Sequence, residues 1–181
     1  MKVKYFKSLD VGTDFYNYTP PSWDVWFMKQ VYLVAEKSKD PSTKIGAILV
    51  KDNHIISSGY NGFPRKVRDR KGRYLKREIK YKFVVHAEDN AVLAAARFGI
   101  STLDTVLYTQ GIPCCECAKS VIQGGIKTIV VHKQWQLRES SRWDKSCEIS
   151  SIMFKEAGIP IIVLDAVLNV DGYTNGKRFR V

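Results

Sequence analysis

Apolar and polar positions along the chain switch repeatedly between a helical and an alternating period. Residues 23–38, "WDVWFMKQVYLVAEKS", carry apolar side chains at helical spacing. Ser22 is placed to cap that helix, and Asp24 falls in its first turn, where a negative charge suits the helix dipole. "KDPSTK" breaks the pattern. "IGAILV" and "HIISSGY" are short β-branched runs split by "KDN", which predicts a hairpin. A second helix is expected within residues 81–99, "YKFVVHAEDNAVLAAARFG", with Val92, Ala95 and Ala96 on its inner face and Gly99 as its stop. Then come the strand "DTVLYT", the helix "CCECAKSVIQGG", the strand "KTIVVH", the helix "DKSCEISSIMFKEAG" and the strand "IPIIVL". The final "DAVLNVDGYTNGKRFRV" has turn residues and no clear period. Alternation of strand and helix in the second half argues for parallel crossovers with helices on both faces of one sheet. The expected architecture is an α/β domain of α/β/α layers with about five strands. An N-terminal arm is expected over 1–21, the domain over 22–165 and a tail over 166–181.

Length and composition narrow the class of protein. A chain of 181 residues suits one domain with a sizeable core. No apolar run approaches the length of a membrane span, and the first residues lack the pattern of a signal peptide. A cytoplasmic location is expected (host cytoplasm if the source is viral), with no membrane partner. Three of the four cysteines crowd into "PCCECAK", too close together for a disulfide framework, which points to metal or redox chemistry. Much of the net charge of +11 is concentrated in residues 64–82, "PRKVRDRKGRYLKREIKYK". Such a segment attracts phosphates, whether of a nucleic acid or of free nucleotides, and an ordinary solvated loop would look the same.

The chemistry gathers in two short motifs. Cys114 and Cys117 are three residues apart at a predicted helix start, so their sulfurs share a face, and Pro113 suits the helix entry. His86 opens another predicted helix. Two helix N-termini aimed at one point would supply three ligands to Zn²⁺ and leave the fourth tetrahedral position for water, the arrangement of a catalytic site. Cys115 would point away along its helix. Cys147 reads as a small core residue, and His54 and His132 have no partner at metal spacing. Glu88, two residues after His86, is placed to accept a proton from that water and return it. A redox role for the cysteine pair would leave His86 and Glu88 unexplained. H-x-E followed by P-C-x-x-C is the signature of zinc deaminases acting on cytosine or adenine.

The chain resembles the deoxycytidylate (dCMP) deaminases of the zinc-dependent cytidine deaminase superfamily, of phage and bacterial type. The resemblance runs from about Trp23 to Leu164 and rests on "DPSTKIGAILV", "SSGYNGFPR", "REIKYKFVVHAEDNAVLAA", "PCCECAKSVIQGGIKTIVV" and "FKEAGIPI". It implies a three-layer α/β/α cytidine-deaminase-like fold with a central mixed five-stranded sheet. It also implies hydrolysis of dCMP to dUMP, the precursor of dTMP, with release of ammonia. His86, Cys114 and Cys117 would hold the zinc, and Glu88 would shuttle the proton to N3 and then to the departing amino group. Asn61 would bond the deoxyribose 3′-hydroxyl, the backbone near Ala87 would read the pyrimidine edge, and Trp135 would stand beside the substrate. The family is typically a homohexamer activated by dCTP and inhibited by dTTP, with Mg²⁺ on the triphosphate. That implies an effector site at Gly62, Phe63, Pro64 and Arg65, with Arg97 linked to assembly and response.

Some positions depart from the family pattern. Trp135 stands where a tyrosine is usual and has no phenolic hydroxyl to offer a phosphate. Gln110 replaces a leucine before the cysteines, and Lys66 occupies a common glycine position. No cysteine set for a second, structural zinc is evident. The rival class is a polynucleotide deaminase acting on a base flipped from tRNA or single-stranded nucleic acid, kept open by the net charge. No nucleic acid is expected as a partner on the leading reading.

Overall fold

A computed structural model of the chain describes residues 19–139 and 144–181, so the arm expected over 1–21 lies almost wholly outside the described residues. Helix α1 (Trp23–Ala35) starts at Ser22, whose hydroxyl accepts from the Val25 amide at 3.4 Å. Strands β1 (Gly46–Lys51) and β2 (His54–Tyr60) form the predicted antiparallel hairpin. Asp52 and Asn53 at its tip take the left-handed backbone that a tight two-residue turn requires. Two short helices follow, α2 (Lys71–Leu75) and α3 (Arg77–Phe83), then α4 (Ala87–Arg97), β3 (Val106–Thr109), α5 (Cys115–Gln123) and β4 (Thr128–His132). The chain continues with α6 (Lys133–Glu139), α7 (Asp144–Glu156), β5 (Ile161–Leu164) and a closing hairpin, β6 (Asp171–Thr174) and β7 (Lys177–Arg180).

The central sheet has the order β2-β1-β3-β4-β5, antiparallel across the first two pairings and parallel across the last two. Side chains alternate between two cores, as the period of an extended strand demands. Ala47, Leu49, Leu107, Ile129 and Val131 face α4, α5 and α7 through Ala91, Ala95, Val121 and Phe154. Ile48, Val50, Tyr108 and Val130 face α1, α6 and the C-terminal segment through Phe27, Met28, Val31, Trp135 and Leu168. Strand β1 is buried on both faces, which is why its sequence is a continuous apolar run. Among the described residues no helix is long and apolar enough to cross a membrane.

Three expectations change. The basic segment is neither a loop nor wholly solvated. It folds into α2 and α3 over a small aromatic cluster, with Phe63 stacked on Tyr74 at 4.3 Å and tilted against Phe83 at 5.6 Å. The C-terminal tail is also structured. Asn175 and Gly176 turn the β6–β7 hairpin at positive φ, and fully buried Leu168 ties the tail to the second core. On α4 the inward stripe is Ala87, Glu88, Ala91 and Ala95, whereas Ala96 is exposed. Lys66 sits at φ +67°, a backbone region that glycine enters without strain, and Gln110 fastens β1 to β3 by accepting from the Gly46 amide at 2.7 Å.

Candidate active site

The site forms where the ends of β2 and β3 meet the start of β1, because the antiparallel pairing sets Ala47 opposite Thr109 and Gly46 opposite Tyr60. Helix α4 is drawn down onto this corner. Gly59 lets its backbone come so close that a Cβ there would lie 2.3 Å from Ala87 O and from Ala91 N. Ser57 Oγ donates to Ala91 O at 2.6 Å, and Asn90 Nδ2 donates to Tyr60 O at 2.8 Å. Gly62 and Val85 exchange two backbone hydrogen bonds just before the helix. Helix α5 is tied to α4 through Ser120 Oγ, which donates to Asp89. His86 and Cys114 are the N-cap residues of α4 and α5, and neither side chain makes a capping hydrogen bond. Both instead turn toward each other.

The result is a cluster of three donors. Cys114 Sγ lies 3.3 Å and Cys117 Sγ 3.5 Å from His86 Nδ1, and the three donor atoms all lie within 4.8 Å of one another. A tetrahedral zinc held at about 2.3 Å from sulfur and about 2.0–2.1 Å from nitrogen would set such atoms about 3.6 Å apart. The donor set, spacing and protection from water fit Zn²⁺. The protons in the cluster are interlocked. Cys114 is pushed down as a thiol by the hydrogen bond from Cys117 and then by His86, and the Cys114 thiolate in turn holds His86 above its ordinary value. Cys117 is pushed up by the same hydrogen bond and by burial. A cation at the centre would replace those shared protons.

Glu88 stands beside the cluster on the buried face of the first turn of α4. Thr109 Oγ1 donates to its Oε1 at 2.9 Å, while Oε2 lies 3.8 Å from Cys117 Sγ. Burial raises the carboxyl well above the usual range, as suits a group that takes and returns a proton. His86, Glu88 and Cys114 line one pocket together with Asn61, Ala87 and Trp135. Ala87 is fully buried, and the Trp135 indole packs on Gly111, a Cβ there meeting its Cδ1 at 3.0 Å. Asn61 Nδ2 donates to Thr43 O at 2.9 Å and Asp40 Oδ2 at 3.3 Å, and its Oδ1 accepts from the Ile45 amide at 2.8 Å.

The proposed effector residues are not brought together within one chain. Gly62 and Phe63 are held beside Val85 and the aromatic cluster, and Arg65 is exposed nearby. Arg97 ends α4, some ten residues and about 15 Å along the helix from its start. Its guanidinium lies over Phe98 at 5.9 Å. Several pocket residues carried no clear signal in the sequence. Cys147, read as core, is half-buried and reaches the pocket from α7, its thiol 3.5 Å from Ile112 O. Thr109 and the Asp40–Lys80 ion pair carry no local signal either, because they lie in a strand end, a helix break and a charge run.

A family model described as "Cytidine and deoxycytidylate deaminase zinc-binding region" matches residues 21–133. An Aliivibrio fischeri protein, "Uncharacterized deaminase in luxG 3'region", is 38% identical over 139 residues, 77% of this chain and 91% of that one. The deoxycytidylate deaminase of Mus musculus is 34% identical over 145 residues, 76% of each chain. Among solved structures, the dCMP deaminase of cyanophage S-TIM5 superimposes with a TM-score of 0.62 at 23% identity, over 81% of this chain and 100% of that one, and shows that the fold is shared. The match spans β1 through β4 and therefore both motifs of the cluster, and the chain belongs to the cytidine and deoxycytidylate deaminase zinc-binding family.

Proposed function

We propose that the protein is a zinc-dependent deaminase converting dCMP and water to dUMP and ammonia, so supplying dUMP for dTMP synthesis. The observation that carries this reading is the His86, Cys114 and Cys117 cluster with the buried Glu88 carboxylate in the same pocket. The mouse deoxycytidylate deaminase relative supports the choice of substrate. When bound, Zn²⁺ supplies the Lewis acidity that brings the pKa of water toward neutrality. Thr109 occupies Oε1 of Glu88, so Oε2, which faces the cluster, is the oxygen that carries the proton. Glu88 takes that proton from the attacking water, delivers it to N3 of the pyrimidine, and assists the amino group to leave C4 as ammonia. Ala87 reads the pyrimidine edge through its backbone. Asn61 has spent both amide hydrogens on Asp40 and Thr43, so toward a 3′-hydroxyl it acts as acceptor through Oδ1. Trp135 lines the same pocket with its buried indole and offers the substrate an apolar surface there.

Regulation belongs to the same reading: dCTP as activator and dTTP as inhibitor, each with Mg²⁺, on a homohexamer. The exposed Arg65 in the "GYNGFPR" loop supports a polyphosphate contact. Since Arg97 lies at the other end of α4, an effector site using both is completed by a second subunit.

Ammonia release from dCMP, cytidine, dCTP and a cytosine oligonucleotide tests the substrate. Turnover of dCMP is expected, whereas activity on the oligonucleotide alone would overturn the reading. Glu88→Ala is expected to retain zinc and lose turnover. Kinetics in dCMP with dCTP or dTTP and Mg²⁺ test regulation, and hyperbolic rates insensitive to both would remove it.

A further inference from the structure

Helix α3 places one side chain of the basic segment unlike its neighbours. Lys71, Lys76 and Lys82 are exposed, but Lys80 is 8% exposed and lines the pocket that holds His86 and Glu88. Its Nζ lies 2.6 Å from Asp40 Oδ2. Asp40 does not depend on it for hydrogen bonds. Oδ1 accepts from the Ser42 amide at 2.8 Å and the Thr43 amide at 3.3 Å, and Oδ2 also accepts from Asn61 Nδ2. A buried ion pair is costly to desolvate and is weak evidence of a purely structural role. An ammonium has three N–H bonds, and Asp40 takes one of them.

Charge along the pocket wall sharpens the point. Among the described lining residues Lys80 is the sole lysine or arginine, and the same pocket is lined by two carboxylates, Asp40 and Glu88. A phosphate entering such a pocket needs a counter-charge, because like charges in a partly desolvated site repel strongly. Lys80 and Asn61 share the same oxygen of Asp40, so the ammonium is two hydrogen bonds from the amide placed against the sugar.

We infer that Lys80 is the specificity-determining residue that binds the 5′-phosphomonoester of the substrate, and that Asp40 holds its ammonium pointed into the pocket. The inference rests on the reading of the site as a dCMP deaminase. The test compares kcat/KM for dCMP and for deoxycytidine in zinc-loaded enzyme of three forms: wild type, Lys80→Gln, and Lys80→Met combined with Asp40→Asn. The double variant removes the pair without leaving a buried charge, and melting temperature and zinc content are read for each form. Lost phosphate contact should lower kcat/KM for dCMP by about ten- to a hundredfold more than for deoxycytidine in both variants, the range of one charge-assisted hydrogen bond. Equal losses on both substrates, or no loss on either, would overturn the inference while dCMP turnover by the wild type stands. A wild type inactive on dCMP would instead overturn the underlying function.

Discussion

Replacing Gly59 by alanine probes what positions the chemistry. The added Cβ would lie 2.3 Å from Ala87 O, 2.3 Å from Ala91 N and 2.7 Å from Asn90 C. All three are backbone atoms of α4, so no side chain can rotate aside and the helix itself must retreat. Relief of contacts this short takes on the order of 1 Å of movement, and overpacking of a close-packed interior costs about 1–3 kcal/mol or more. At this chain length, about 3 kcal/mol corresponds to a fall of about 6–12 °C in Tm. The displaced end of α4 is the one that carries His86 and Glu88, and a misplacement of about 1 Å can cost about a hundredfold in rate. Gly72→Ala is the control, since an added Cβ there meets nothing within 4 Å. Thermal unfolding, bound zinc and kcat on dCMP should all fall for Gly59→Ala and hold for Gly72→Ala. A Gly59→Ala protein that melts within about 2 °C of wild type and keeps its zinc would refute the reasoning.

Thr109→Val removes the only hydroxyl bonded to Glu88 Oε1 among the described residues, and is expected to lower kcat about ten- to a hundredfold with KM little changed. Thr109→Ser should restore most of the rate; failure of that rescue would point to packing instead. Stripping the metal with a chelator should abolish turnover and lower Tm, and added Zn²⁺ should restore both, with a gain of about 2.7 kcal/mol at a hundred times Kd. Burial holds His132 below its ordinary pKa against the opposing pull of its Nε2 bond to Ala166 O at 3.0 Å, while Nδ1 accepts from Tyr32 Oη at 2.8 Å. The unfolded chain therefore binds a proton below about pH 6.5 that the fold refuses. This contribution is full above that pH and falls as pH drops, by up to about 1.4 kcal/mol per unit. Denaturant midpoints across pH should lose that limb in His132→Gln, and an unchanged slope would exclude His132 as its source.

Elements whose burial follows one rule were legible from residue order. β1 and β2 announced themselves by β-branched runs around "KDN", and α5 by its cysteine pair, proline and glycine stop. The metal donors were legible because few residue types can hold zinc and their spacing sets a shared face. What escaped depends on partners distant in sequence. Phe63 buries against Tyr74 and Phe83, so a charge-dense segment becomes helical through three aromatics that no periodicity groups together. Strands β6 and β7 have four residues each and β7 is largely exposed, so the Asn175-Gly176 turn is the one signal they offer. Cys147 reaches the pocket only because α7 packs beside α5, a relation set by the crossover rather than by local sequence. Lys80 is one more charge in a basic run by sequence, and only the fold sets Asp40 against it.

The two uncapped helix starts have an energetic consequence. An N-cap serine, threonine, aspartate or asparagine is worth about 1 kcal/mol to a helix, and α4 and α5 forgo it by placing His86 and Cys114 there. In the absence of metal, His86→Asn and Cys114→Asp should each raise stability while ending catalysis. Without metal, loss of these donors therefore runs downhill in folding free energy, and bound zinc reverses that slope. The metal that those two residues hold is what offsets the unfinished helix starts.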